Sequence, residues 1–341
     1  MNGLSDGVVL GVGVVALLVT LAASEFLVRG VGVLARNLGL LGGIVGLLVA
    51  LGADSPEISS SISAVASGSA STAGGVVFGS NIFNLAILLS GAAFAAGEVR
   101  VHRSAVVLDA GVAITLTVAI GLAVLGDIPV ALAWLILLLV FVPYVAILVV
   151  PAAQLQRLRL PRSVTQFVAQ ASRETAAESV EIEDEIEALV PVRPDRAWRP
   201  VVLVLPALVL IVLGSFVMVQ GAVTLGGRWH ISSLVIGVVV LAAATSLPNA
   251  YAAIRLAADG HGGAVVSATF NSNTLNLLAG IAVPLLFFPD LGHAVPASYV
   301  VWLLGMSLLS LILLARGLRR RGAVILLMTY VAFVVFAIAS R

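Results

Sequence analysis

Ten windows of about twenty mostly apolar residues, each long enough to cross a ~30 Å hydrocarbon core as a helix, occupy most of this chain. They fall near 7–28, 39–66, 73–96, 104–126 and 128–152, and again near 199–222, 231–257, 262–287, 296–316 and 322–340. Nothing else constrains the fold as tightly. In lipid a helix satisfies its own backbone, and irregular chain persists only where protein or water meets it. Of the 341 residues, 60% are hydrophobic and 10% charged, and the mean hydropathy is +1.16, outside the range of soluble domains. The expected fold class is an all-α membrane protein with ten transmembrane helices. The sequence contains no cysteine, which excludes disulfides and thiolate zinc sites. A net charge of +1 leaves no electrostatic footprint for nucleic acid. The opening MNGLSDGVVLGVG lacks a basic n-region and reads as a retained first span, not a cleaved signal peptide.

All 18 basic residues are arginine. With the N-terminus outside, Arg29, Arg36, Arg100, Arg103, Arg255, Arg316, Arg319, Arg320, Arg321 and the linker arginines lie on one side, leaving only Arg228 and Arg341 on the other. The positive-inside rule then predicts both termini outside a bacterial plasma membrane and the central loop in the cytoplasm. Three parts are expected: a first five-helix unit over 1–152, a linker over 153–198 and a second five-helix unit over 199–341. The linker passes from QLQRLRLPRS through the acidic ETAAESVEIEDEIEAL to PVRPDRAWRP. Glu181, Glu183, Asp184, Glu185 and Glu187 form either a regulatory divalent-cation site or the face of a solvated helix. The second fits better, because no glycine-bearing ligand loop is present.

The two halves are related. GADSPEIS (52–59) has a counterpart in ATSLPNAY (244–251), and FGSNIFNL (78–85) has one in FNSNTLNL (270–277), both at an offset of about 192. Pro56 matches Pro248, Ser80 matches Ser272, Asn81 matches Asn273 and Asn84 matches Asn276, with one residue of slippage upstream, where VGLLVAL faces IGVVVLAA. Such pairing marks an internal duplication. A unit of five spans must enter the membrane from opposite sides in its two copies, so the repeats are inverted. Inverted repeats with proline-broken polar helices at matching positions are a signature of secondary transporters. The prolines predict discontinuous helices two and seven, whose freed carbonyls stand near the site.

These paired motifs resemble the alpha-repeats of the cation/Ca2+ exchanger superfamily, which includes Na+/Ca2+ and Ca2+/H+ exchangers. The family pattern is roughly G-T-S-x-P-E in spans two and seven and G-S-N-x-x-N or G-S-N-x-x-D in spans three and eight. The second is matched closely by Gly79-Ser80-Asn81-Ile82-Phe83-Asn84 and Asn271-Ser272-Asn273-Thr274-Leu275-Asn276. FLVRGVGVLARNLGL is similar to the family's first intracellular connection. The resemblance implies a core of spans two, three, seven and eight, and a cation antiporter, not an enzyme, with no cofactor beyond the transported Ca2+, Na+ or H+. It places Glu57 on the first-repeat glutamate that ligates the divalent ion, Ser80 and Asn84 on ligand positions of span three, and Ser272 and Asn276 on those of span eight. Thr245 and Ser246 match the second repeat's Thr-Ser. Ala53 and Asp54 replace the first repeat's Thr-Ser, Asn249 replaces the second glutamate, and Asn276 stands where some relatives have Asp.

Asp54 and Glu57 are three residues apart and project from one helix face. A charged side chain at membrane depth costs at least ~2.5–3.5 kcal/mol on insertion scales, and two adjacent carboxylates do not both stay ionised without a cation. They share a proton, hold one divalent ion or hold monovalent ions. Mutual exclusion among these is itself an antiport mechanism, and hard oxygen ligands suit Ca2+. Na+ and H+ stand as alternative counter-ions. An intramembrane hydrolase built on the carboxylate pair, and a channel or sensor, are the readings from other classes; the hydrolase leaves the duplication unexplained. The serine runs at 59–63 and 67–71 fit packing and loop formation. Glu25 and Asp109 are expected at the interface beside Arg29 and Arg103. The four histidines fall at loop or interface positions.

Overall fold

The computed structural model describes residues 1, 3–38, 42–99, 101–150, 152–155, 161–189 and 201–340, and the side chains of 36, 42–45, 152 and 178–189 lie outside that description. The first half runs through α1 (Asp6–Asn37), α2 (Gly42–Ala53), α3 (Ser55–Ala66), α4 (Ala70–Phe83), α5 (Leu89–Ala96), α6 (Arg103–Leu125) and α7 (Val130–Val149). After α8 (Arg162–Leu189) come α9 (Val204–Arg228), α10 (Ala242–Ala258), α11 (Gly262–Leu277), α12 (Ala297–Ala315) and α13 (Arg320–Ala339). A two-residue antiparallel pairing of β1 (Glu98–Val99) with β2 (Leu318–Arg319) ties a loop of the first half to one of the second.

Eight helices among the described residues are long and apolar enough to cross a membrane. Residues 42–66 do not form such a helix because the chain breaks at Asp54 into two helices of 12 residues each. The eighth window yields α11, of 16 residues, whose hydropathy is lowered by Ser267, Thr269, Asn271, Ser272, Asn273, Thr274 and Asn276. Burial separates centre from periphery. The span over Ala70–Ala96 has 89% of its apolar window buried, whereas α1 and α13 have 28%. A helix apolar all round with exposed Leu, Val and Phe suits lipid contact.

Pro56 explains the break in the second span. It removes the N–H that would reach the Gly52 carbonyl, and that carbonyl accepts instead from Ser55 Oγ at 2.6 Å and from Ser24 Oγ of α1 at 3.0 Å. The ladder continues on either side, with Asp54 N donating to Ala50 O at 2.8 Å and Ile58 N to Asp54 O at 3.0 Å. The freed carbonyl therefore belongs to a hydroxyl clamp, not to the site as the sequence led us to expect. Helix seven differs too, since α10 runs unbroken through Pro248. A proline deletes one donor and bends a helix without having to end it. Upstream of it, Pro248 stands eleven positions after Gly237, whereas Pro56 stands ten after Gly46. The segment Ile236–Leu241 is π-helical, and its wider turn takes up the additional residue.

Glycines let these central helices approach backbone to backbone. A Cβ on Gly79 of α4 would lie 2.5 Å from Val238 O, one on Gly75 2.8 Å from Leu234 O, and one on Gly237 2.4 Å from Thr72 O. The serine runs serve packing and turns. Ser61 Oγ donates to Gly280 O at 2.8 Å, and Gly68 adopts a φ of 78° in the turn into α4, which closes with Ser69 N donating to Ala64 O at 2.9 Å. The linker is not wholly solvated. Ala169, Ala171 and Thr175 of α8 are buried, and Glu174 Oε2 accepts from Ala105 N in the first turn of α6 at 2.9 Å. Glu181, Glu183, Asp184, Glu185 and Glu187 lie outside the described side chains.

The α4 contact generates a prediction. Gly79→Ala should cost roughly 1–3 kcal/mol by overpacking and lower the thermal unfolding midpoint of the purified protein. Gly111→Ala, where a Cβ meets nothing within 4 Å, should leave it unchanged or raised. Equal midpoints for the two variants contradict the close approach.

Candidate functional site

Asp54 sits at the break between α2 and α3, with φ −82° and ψ −1°, and Glu57 lies in the first turn of α3. Both are buried, at 1% and 0% exposure. Their hydrogen bonds come from the other half of the chain. Ser246 Oγ donates to Glu57 Oε1 at 2.9 Å. The Asn249 amide nitrogen reaches Asp54 Oδ1 at 3.0 Å and Glu57 Oε1 at 3.3 Å, so one neutral donor group bridges both carboxylates. The Ser272 hydroxyl also donates to Asp54 Oδ1. Helix α10 thus supplies the partners of Glu57, and α10 with α11 those of Asp54.

A chain of amides leads away from the pair. Asn84 Nδ2 donates to Ser272 Oγ at 3.2 Å. Asn81 Nδ2 donates to Asn273 O at 3.1 Å, and Asn273 Nδ2 donates to Asn81 O at 3.1 Å. These two residues are repeat equivalents, and each bonds the other in the same way. Ser80 and Thr245 are buried but donate their hydroxyls within their own helices, to Val77 O at 3.2 Å and Leu241 O at 2.9 Å; their lone pairs stay free to accept or to ligate. Asn276 is buried with neither amide atom hydrogen-bonded, and Asp54 Oδ2, Glu57 Oε2, Asn81 Oδ1 and Asn84 Oδ1 likewise have no hydrogen-bond partner.

Of the nine candidate residues, hydrogen bonds join Asp54, Glu57, Asn84, Ser246, Asn249 and Ser272 into one cluster. Ser80, Thr245 and Asn276 are buried on the same helices but outside that set of bonds. Orphaned buried polar atoms are costly and uncommon in folded proteins. Five orphaned oxygens on two carboxylates and three asparagines match the chemistry of a hard cation, which takes oxygen ligands. Asn81 and Asn273 are not among those nine, although their repeat equivalence is visible in the sequence.

Asp109 is the main correction. It is 1% exposed and bonded to other helices inside the protein; Tyr144 donates its hydroxyl to Asp109 Oδ1 at 3.0 Å, and Ser267 donates to Asp109 Oδ2. Tyr144 also meets the Asn271 side chain. A bulk-hydropathy reading places Asp109 by its distance from the helix end and carries no signal for partners so far away in sequence. Glu25 behaves as expected, paired with Arg29 at 2.7 Å on the surface.

The sequence profile of the Sodium/calcium exchanger protein family matches residues 8–152 and 199–339. The chain is 28% identical over 333 residues to CaxA of Alkalimonas amylolytica, a protein provisionally named an antiporter, covering 94% of this chain and 95% of that one. A shorter stretch of 142 residues is 30% identical to Sodium/potassium/calcium exchanger 1 of Mus musculus, covering 41% of this chain and 11% of the mouse protein. Two solved structures share the fold. The H+/Ca2+ exchanger CAX matches with a TM-score of 0.70 at 16% identity, over 95% of this chain and 81% of that one. The sodium–calcium exchanger NCX_Mj matches with a TM-score of 0.56 at 20% identity, over 99% and 100%. The chain belongs to the sodium/calcium exchanger protein family, within the cation/Ca2+ exchanger superfamily, and is a membrane transporter and not an enzyme.

Proposed function

We propose that this protein exchanges Ca2+, or a closely related divalent cation, for Na+ or H+ by alternating access. The observation that carries the proposal is the shared carboxylate pair, in which Asp54 and Glu57 come from one half of the chain and Ser246, Asn249 and Ser272 from the other. A cation held there touches both halves, so any motion of one half against the other changes which side of the membrane the ion faces. The ligand set is Glu57, Asp54, Ser80, Asn84, Thr245, Ser246, Asn249, Ser272 and Asn276. One divalent ion neutralises both carboxylates; Na+ or H+ occupies the same charge and excludes it. Names of relatives that couple Ca2+ to Na+ or to H+ support both counter-ions.

The architecture we propose is ten spans in two inverted five-helix repeats, over 1–152 and 199–341, with both termini outside and the linker over 153–198 in the cytoplasm. The reciprocal Asn81–Asn273 bonds support a local two-fold relation between the halves. The segments leading into the site are unequal. Ile236, Gly237 and Val238 are buried against α4, whereas Gly46, Leu47 and Leu48 of α2 are half-buried. Interchange of those two environments moves access from one side to the other.

The second-repeat glutamate of the family is absent, yet the charge is conserved, because Asp54 supplies the second carboxylate and Asn249 bridges the pair. A glutamate at 249 places a third carboxylate against two others. Asn249→Glu alone should therefore suppress Ca2+ exchange, and the double variant Asp54→Ser with Asn249→Glu should restore it; a double variant no better than the single one contradicts this. Glu57→Gln should reduce exchange to the level of protein-free vesicles while the protein elutes normally, and wild-type exchange by that variant removes the site assignment. The function itself is tested by radiolabelled Ca2+ uptake into proteoliposomes under a Na+ gradient and, separately, a pH gradient. Stimulation by at least one is expected, and uptake indifferent to both denotes a channel.

A further inference from the structure

We propose that Asp109 is a positioning residue for the cation site, fixing the rotation of α11 so that Ser272 meets Asp54. This rests on the proposed exchange of Ca2+ at that site. The cluster around Asp109 joins three helices. Asp109 lies in α6, Tyr144 in α7, and Ser267 and Asn271 in α11. One carboxylate oxygen takes the Ser267 hydroxyl directly; the other takes the Tyr144 hydroxyl at 3.0 Å, and Tyr144 in turn meets Asn271, the residue before Ser272.

The duplication shows why α11 needs such an anchor. With Phe78 aligned to Phe270, Ser267 and Asn271 occupy the positions of Gly75 and Gly79. In α4 those glycines lie against backbone at Leu234 and Val238, where a Cβ would be only 2.8 and 2.5 Å from a carbonyl oxygen. That contact fixes α4 by shape. Helix α11 carries side chains at both positions and has no equivalent close approach through them; hydrogen bonds to Asp109 and Tyr144 take its place. The two bonds lie about one helical turn apart along α11, enough to oppose rotation about its axis. Partners behind a ligand orient it and typically affect cation affinity by roughly 10–100-fold when removed.

The test uses the full-length protein in proteoliposomes, with Ca2+ as the probe. Asp109→Asn and Tyr144→Phe should each raise the Ca2+ concentration for half-maximal exchange roughly tenfold with the maximal rate unchanged, and the double variant should go no further, since both act through one chain of contacts. A purely structural role lowers the amount of folded transporter, hence the maximal rate, and leaves half-saturation in place. Unchanged half-saturation in Tyr144→Phe, whose near-isosteric ring keeps the packing, overturns the proposal, as do effects that multiply in the double variant. Hydrogen exchange over Gly262–Leu277 in nanodiscs gives a readout independent of the transported ion. It should accelerate in both variants, and no change there overturns the anchor. Wild-type protein that does not exchange Ca2+ overturns the proposed function and leaves this second readout standing.

Discussion

Two carboxylates held in the middle of an apolar helical bundle are the constraint to which the rest of the molecule answers. Each oxygen removed from water must be matched by a donor or a cation, because an unpaired charge in this medium is costly. Asp54 and Glu57 receive hydroxyl and amide donors from α10 and α11, and each keeps one oxygen without a hydrogen-bond partner. The protein donors satisfy half of each carboxylate, and the other half suits a hard cation. Because the donors come from the opposite half of the chain, the site exists only while the two halves are together.

Bringing them together is a matter of backbone geometry. Glycines on α4 and before α10 remove the side chains that would hold the helices apart. A π-helical turn at Ile236–Leu241 takes up one residue of unequal spacing, and Ser246 and Asn249 reach Glu57 and Asp54. In the other half, the Pro56 break turns the chain at Asp54, and hydroxyls from Ser24 and Ser55 satisfy the carbonyl it frees. The two copies reach a similar meeting point by different local means, one with a broken helix and one with a continuous, locally widened helix.

Much of this was legible in the residues. Eight of the ten apolar windows coincide, among the described residues, with helices long and apolar enough to cross a membrane, and the matched pairs 192 residues apart lie on segments that meet at the centre. The motif positions of Glu57, Ser246, Asn249, Ser272 and Asn84, and the three-residue spacing of Asp54 from Glu57, mark six residues that hydrogen bonds join. What was not legible depends on contacts distant in sequence. Pro248 looks the same as Pro56 in sequence, yet only Pro56 coincides with a break. The partners of Asp109 were hidden because Tyr144 and Ser267 are 35 and 158 residues away. The docking of α8 was likewise invisible, since Ala169, Ala171 and Glu174 carry no motif and Glu174 meets the first turn of α6, 69 residues away in sequence.

The proposed exchange requires one cation site shared by both halves, at which different cations compete. Equilibrium binding of radiolabelled Ca2+ to the purified protein tests it most directly, titrated with Na+ at fixed pH and with acid at fixed Na+. One Ca2+ per chain is expected, displaced competitively by at least one of the two ions and absent in the Asp54→Asn, Glu57→Gln double variant. Ca2+ binding that neither ion displaces, or that survives loss of both carboxylates, would contradict it.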